Sequence, residues 1–145
     1  MPYKLGYDEF TNRLEPIARS VESRGEWPRP FNPEFFFPHW QALIKLGIAE
    51  VWEAPGAILG AVFTTVSFTG TPVGVVSFWW SLPDAKVSDR MSLLEQFESE
   101  CRARGCEFAY TSAYGTQRHA ATERLYRRRG YSMIETNFRK ELKYG

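Results

Sequence analysis

The chain has 145 residues, 43% of them hydrophobic and 24% charged, with a net charge of +1. That length suits one domain, 1–145, able to bury its own core, and the composition excludes long disorder, collagen, coiled coil and a disulfide-stapled miniprotein. Near-neutral charge gives no global pull towards nucleic acid.

Cys101 and Cys106 fit neither a CxxC redox pair nor a zinc pattern, and the only histidines are His39 and His119. No metal is therefore expected. No apolar run approaches the ~18 residues of a membrane span. The N-terminal MPYKLGYDEF has no basic segment followed by an apolar one, so neither a signal peptide nor a membrane association is expected, and the expected location is the cytoplasm. Charge is uneven along the chain. Residues 1–75 carry −2 and residues 76–145 carry +3, much of it from Arg118, Arg124, Arg127, Arg128 and Arg129. A local basic patch suits an anionic small molecule.

In chain order, the spacing Phe10, Leu14, Ile17, Val21 predicts a first helix within Tyr7–Gly25, with Pro16 kinking it or starting it. Asn32 is placed to cap a second helix, with Pro33 in its first position. Pro38 is expected to break or restart that helix, and Gly47 to end it. Three strands follow, at 49–54, 57–68 and 73–82, punctuated by Pro55-Gly56 and Gly70-Thr71-Pro72. Short turns make them an antiparallel meander. A third helix is expected over Asp89–Arg104, capped by Ser88 or Asp89. A strand at 106–114, a helix at 120–129 with Leu125 inward, and a closing strand at 131–142 complete the order ααβββαβαβ. The strand–helix–strand step implies a parallel pair flanking the third helix. The fold class is α/β with a mixed sheet.

This order, with particular residues at its joints, resembles the GCN5-related N-acetyltransferase (GNAT) family. LYRRRGY (125–131) resembles the family's "Leu-Tyr, three residues, Gly-Phe/Tyr" signature. SLPD (81–84) is similar to the strand-end proline and acid before the cofactor loop, and IETNFRKEL (134–142) to the closing strand. The spacing FNPE…W..LI..G (31–47) is similar to acetyltransferases of bacteriophages and prophages. The resemblance spans residues 31–142.

The resemblance implies acetyl-CoA as cosubstrate, held where the third meander strand parts from the strand at 106–114. Backbone groups of Trp80, Ser81 and Leu82 would pair with the pantetheine arm. The pyrophosphate would sit on Lys86, Val87, Ser88, Asp89, Arg90, Met91 and Ser92, at the start of the third helix. The family's glycines are missing there: none occurs between Gly74 and Gly105. Anchored on Leu93-Leu94, the glycine positions fall on Ser88 and Arg90. Anchored on Pro83, Lys86 takes the family's arginine.

Tyr126 falls on the position that protonates the leaving thiolate, and a phenol of pKa about 10 matches a CoA thiolate for that task. The third meander strand has no carboxylate. Glu53, Asp84 or a water could serve as base, with Glu53 the nominated residue, and none is obligatory if the amine arrives neutral. His119 stands where relatives carry an asparagine on the cofactor arm, or is an exposed loop histidine. Arg128 is a candidate for the CoA phosphates. Trp79 and Trp80 point to opposite faces, and one of them, with Phe35, Phe36, Phe37 or Trp40, can wall an acceptor pocket.

The reaction expected is N-acylation of a primary amine on a small molecule or protein. The alternative is a catalytically silent protein of the same fold, a structural or interaction component associated with a phage virion or a host. Either could form a homodimer through a free sheet edge.

Overall fold

The computed structural model describes residues 2–6, 9–25, 27–113 and 119–143. Its elements are β1 (Tyr3–Lys4), α1 (Phe10–Glu22), α2 (Pro33–Lys45), β2 (Ala49–Ala54), β3 (Ala57–Thr65), β4 (Pro72–Ser81), α3 (Val87–Ala103), β5 (Phe108–Tyr110) and α4 (His119–Arg128). The chain divides into two compact units, Met1–Ser112 and Ala113–Gly145. The first holds the whole sheet and α1 to α3. The second holds α4 and the residues after it.

The sheet of the first unit runs β1-β2-β3-β4-β5. All pairs are antiparallel except β4 and β5, which are parallel. The mixed sheet with a parallel pair flanking the central helix is thus as the sequence implies. β1 is an addition. Two residues carry no readable period, yet they pair with Trp52 and Glu53 and lead Leu5 into the core.

Side-chain alternation splits the core between the faces. Val51, Ile58 and Phe78 join Phe10, Leu14 and Ile17 of α1 and Phe37 and Trp40 of α2. Leu93, Leu94, Phe97 and Cys101 of α3 are buried as well. A Cβ on Gly74 would lie 2.4 Å from Cys101 Sγ, so α3 approaches β4 too closely for a side chain. Each fully buried Phe or Leu contributes about 2–3 kcal/mol by leaving water.

The α1 stripe is the one expected. Asn32 accepts a hydrogen bond from Phe35 N at 3.2 Å and caps α2. Pro38 does not break α2, which runs on to Lys45. It sits near the N-terminal end, where its missing N–H forfeits a single backbone bond. Phe37 and Trp40 anchor the turns on either side.

Two expectations need correction. β5 covers 108–110 rather than 106–114, although residues 114–118 lie outside the described part. Residues 131–143 form no strand. Met133, Ile134, Phe138 and Leu142 are exposed. Ile134, Phe138 and Leu142 share one parity and would line one face of a strand, yet they find no cover among the described residues.

Candidate active site

β4 changes character half-way. Val73, Gly74 and Val75 pair with β5, and the pairing stops at Val75↔Tyr110. On the other side, the register with β3 shifts between Gly60 and Ala61, whose partners are Phe78 and Val76. Ser77 is the extra residue of a β-bulge, and it is exposed. The extra residue reverses the side-chain phase. Gly74 faces α3, whereas Phe78 and Trp80 pack on the α1/α2 side. Phe78 lies over Gly60, where a Cβ would come within 2.2 Å of its ring. Beyond the bulge, the β5 side of β4 carries no strand among the described residues. The two parallel strands therefore open a gap whose wall is β4 from Val76 to Ser81.

The end of that wall is partly occupied by the chain itself, since Ser81 O accepts from the Arg24 guanidinium. On the other side Leu82 N donates to Gly56 O at 2.7 Å and extends the ladder with β3. A turn follows, closed by Ala85 N to Leu82 O at 3.1 Å. α3 then starts at Val87, two residues before the expected position. Its N-cap is Lys86 in an extended conformation, with no side-chain cap, so neither Ser88 nor Asp89 caps the helix. Both lie inside its first turn, where Asp89 still favours the positive end of the helix dipole.

The first helical hydrogen bond is Arg90 N to Lys86 O at 3.1 Å. The amides of Val87, Ser88 and Asp89 therefore precede the helix ladder, as in any helix start. Lys86 is exposed, and the buried Arg90 Nε has no hydrogen-bond partner among the described residues. Ser92 Oγ is turned back onto Asp89 O at 2.7 Å. Met91 is half-buried. The α3 start thus presents uncapped amides, with Lys86 and Arg90 in the same segment.

Trp80 lies in an aromatic cluster, its ring 4.5 Å from Phe78, 5.8 Å from Phe36 and 5.1 Å from Trp27. Trp27 belongs to the segment between α1 and α2, which sequence reasoning passed over. That segment is braced three ways. Arg24 reaches Ser81, Phe31 N donates to Glu22 Oε2, and Arg19 lies 5.3 Å from the Phe31 ring centre. An open cleft of about 380 Å³ is lined by Glu22, Trp27, Pro28, Arg29 and Pro30. The available signal was a tryptophan among prolines 28, 30 and 33, a stiff segment with a large apolar side chain.

Glu53 stands in the same cross-sheet row as Trp80, through Ile58. Two strand spacings separate them, about 10 Å. Its Oε1 accepts from Arg13 Nη1 at 2.6 Å. Tyr126, His119 and Arg128 all belong to α4 of the second unit. Tyr126, not Leu125, is the buried residue of that helix, its ring 5.6 Å from Tyr131. His119 Nε2 is 3.7 Å from Glu123, and Arg128 is exposed. Among the described residues no three His, Cys, Asp or Glu side chains converge as metal ligands, and no helix is long and apolar enough to cross a membrane.

No protein-family model and no curated protein sequence matches the chain. Solved structures do match in fold. An aminoglycoside acetyltransferase from an uncultured soil metagenomic sample, in complex with sisomicin, has a TM-score of 0.75 at 13% identity, over 99% of this chain and 96% of its own. A transcriptional regulator from Bacillus halodurans C-125 has a TM-score of 0.74 at 12% identity, over 98% and 99%. A ribosomal-protein-alanine N-acetyltransferase from Brucella melitensis biovar Abortus 2308 has a TM-score of 0.70 at 14% identity, over 98% and 99%. The fold is that of the GNAT acetyltransferases. Identity this low carries the fold and nothing further.

Proposed function

We propose that the protein is an acetyl-CoA-dependent N-acetyltransferase acting on a primary amine. The observation that carries this reading is the opening of β4 away from β5 at the Ser77 bulge, close in sequence to an uncapped α3 N-terminus flanked by Lys86 and Arg90. An extended thioester arm can lie along β4 as an added strand would, and the diphosphate can take the amides of Val87, Ser88 and Asp89. Structural neighbours that acetylate aminoglycosides and a ribosomal-protein alanine support the reaction class.

The chemistry is direct transfer. The neutral amine attacks the thioester carbonyl, the new C–N bond forms, and the C–S bond breaks. The amine's proton leaves to solvent, and the thiolate takes one from Tyr126. That role for Tyr126 rests on its match to the Leu-Tyr-x3-Gly-Tyr signature. A base role for Glu53 would run through water, because Arg13 holds its carboxylate and Trp80 is two strands away. His119 and Arg128 enter the reading as contacts to CoA through the same resemblance.

The test is calorimetric titration of acetyl-CoA, followed by turnover with Tyr126→Phe. Micromolar binding and a turnover reduced about 100-fold in the variant support the reading, the size expected for loss of a general acid. No binding at millimolar CoA overturns it. A second reading, a silent protein of the same fold, has one observation in its favour. Ser81 O, expected to face the pantetheine arm, already has a partner in Arg24.

A further inference from the structure

We infer that Cys101 and Cys106 form an oxidation site, a dithiol that hydrogen peroxide closes into an intramolecular disulfide. The inference stands independently of the transferase reading. The pair is made by the fold and not by a CxxC spacing. α3 ends in a Schellman turn. Gly105 has φ 74°, its N–H donates to Arg102 O at 3.1 Å, and Cys106 N donates back to Cys101 O at 2.9 Å. That last bond and standard covalent lengths hold the two Cα atoms within about 7 Å, beyond which a disulfide cannot span. The motif usually closes with an apolar contact between the two residues so joined. Here both carry free thiols, and the thiols are hydrogen-bonded to each other.

Exposure divides the roles. Cys106 is partly exposed, whereas Cys101 is buried against Gly74. Cys106 therefore meets the peroxide. Its thiolate attacks one oxygen, the S–O bond forms, the O–O bond breaks, and the departing hydroxide takes a proton. Cys101 then attacks the sulfenic sulfur. The S–S bond forms, the S–O bond breaks, and the hydroxide that leaves takes the Cys101 proton. Two thiols and one peroxide give one disulfide and two waters. The chain has no other cysteine, so Cys101 is the sole thiol in the molecule that can resolve Cys106. Burial, with Cys106, Glu98 and Glu100 adding to it, holds the Cys101 thiol protonated, which suits it to the second step and not the first. Its place beside the sulfenic sulfur offsets its small thiolate fraction. A helix C-terminus gives no help to a thiolate. The site thus oxidises at the pace of an unactivated thiol and is not a peroxide-consuming centre.

The disulfide would tie the last turn of α3 to the entry of β5, where Glu107 N donates to Pro72 O at 2.8 Å and Phe108 pairs with Val73. Cys101 lies fourteen residues along α3 from Val87, about 21 Å away. The oxidation site is therefore separate from the proposed diphosphate site.

The experiment treats the reduced full chain with hydrogen peroxide, caps free thiols with iodoacetamide and maps tryptic peptides. Trypsin cuts after Arg102 and Arg104, between the two cysteines, so the disulfide shows as two linked peptides that dithiothreitol separates. Expected is that linked pair in monomeric protein, with both thiols lost to the cap together and regained on reduction. Cys101→Ala should instead accumulate a sulfenic acid on Cys106, trapped by dimedone, where the wild type gives no adduct. The peptide map is read on the wild type, so it decides the matter even where Cys101→Ala does not fold. Three results overturn the inference. One is oxygen added to Cys106 without linked peptides. Another is a disulfide joining two chains. The third is two open thiols after peroxide sufficient to oxidise free cysteine under the same conditions.

Discussion

The two halves of β4 are built for opposite ends. The first, Val73–Val75, is hydrogen-bonded on both sides and lies so close under α3 that only glycine fits at position 74. The second, Val76–Ser81, is bonded on one side, bulged at Ser77, and packed by aromatic rings on the α1/α2 side. The first half fixes the strand in the core. The second leaves one row of backbone groups without a neighbouring strand among the described residues and turns Trp80 towards the α1/α2 aromatic cluster. One inserted residue separates a doubly paired segment from a singly paired one, because a side-chain period of two turns any single insertion into a change of face.

Removing a ring from the second half gives the largest expected effect. Phe78→Ala empties the space beside Trp40, Trp80 and Gly60. The loss of a buried Phe should cost about 3–5 kcal/mol. Thermal melting should fall by roughly 10 °C at about 3 °C per kcal/mol for this length. Retention of the wild-type melting point would mean that the ring is not packed. Deleting Ser77 should cost far less, because Phe78 stays opposite Gly60 and Trp80 opposite Ile58. Ser77→Ala, which keeps the residue count, should leave melting within about 0.5 kcal/mol of wild type.

Filling position 74 attacks the other half. Gly74→Val places a Cβ 2.4 Å from Cys101 Sγ and 3.1 Å from the Phe97 ring. Overpacking of this kind costs about 1–3 kcal/mol. A paired Gly74→Val with Cys101→Ala should recover part of the loss, which a double-mutant cycle in chemical denaturation would measure. Additive effects would contradict the close approach of α3.

A smaller effect should leave folding alone. Arg90→Ala removes one cation at the α3 N-terminus. It should weaken CoA binding about tenfold, or about 1.4 kcal/mol, with little change in melting. CoA affinity unaffected by this change, or by Lys86→Ala, would take the anion role away from that helix start.

Much of this was legible in the residues. The α1 stripe, the Asn32 cap and the meander follow from local period and local hydrogen bonding. So does the parallel pair, through the strand–helix–strand order. The bulge was not legible, because VVSFWW reads as one uninterrupted strand and its phase is set by partners in β3, α1 and α2. Nor was the start of α3. Ser88 and Asp89 are good caps by type, but the turn after Leu82 brings the chain into helix already at Val87. The cleft depends on Glu22, Trp27 and Arg29, whose meeting is fixed by contacts to β4 that no local pattern encodes. The expectation at 131–142 rested on a likeness of residues, and the row Ile134, Phe138 and Leu142 that it would have buried is exposed.

The last test reads the core half of β4 by pH. Burial pushes the Cys101 thiol up to about 12 from a usual 9.0, with the nearby Cys106 adding to the shift. In the unfolded chain the thiol ionises near its usual value, while in the folded chain it stays protonated. Between about pH 9 and 12 the folded state therefore binds more protons, and stability must fall as pH rises. This thiol can contribute a slope of at most ~1.4 kcal/mol per pH unit. Stability is unaffected by it below pH 9. Urea denaturation of wild type and Cys101→Ala at pH 8, 9.5 and 11 isolates the term, since other groups titrate equally in both. The wild type should lose stability faster than the variant above pH 9, even though the variant starts lower for want of a buried side chain. Parallel slopes would mean that the thiol ionises in the folded state, and hence that α3 does not seal the Gly74 half of β4 from water.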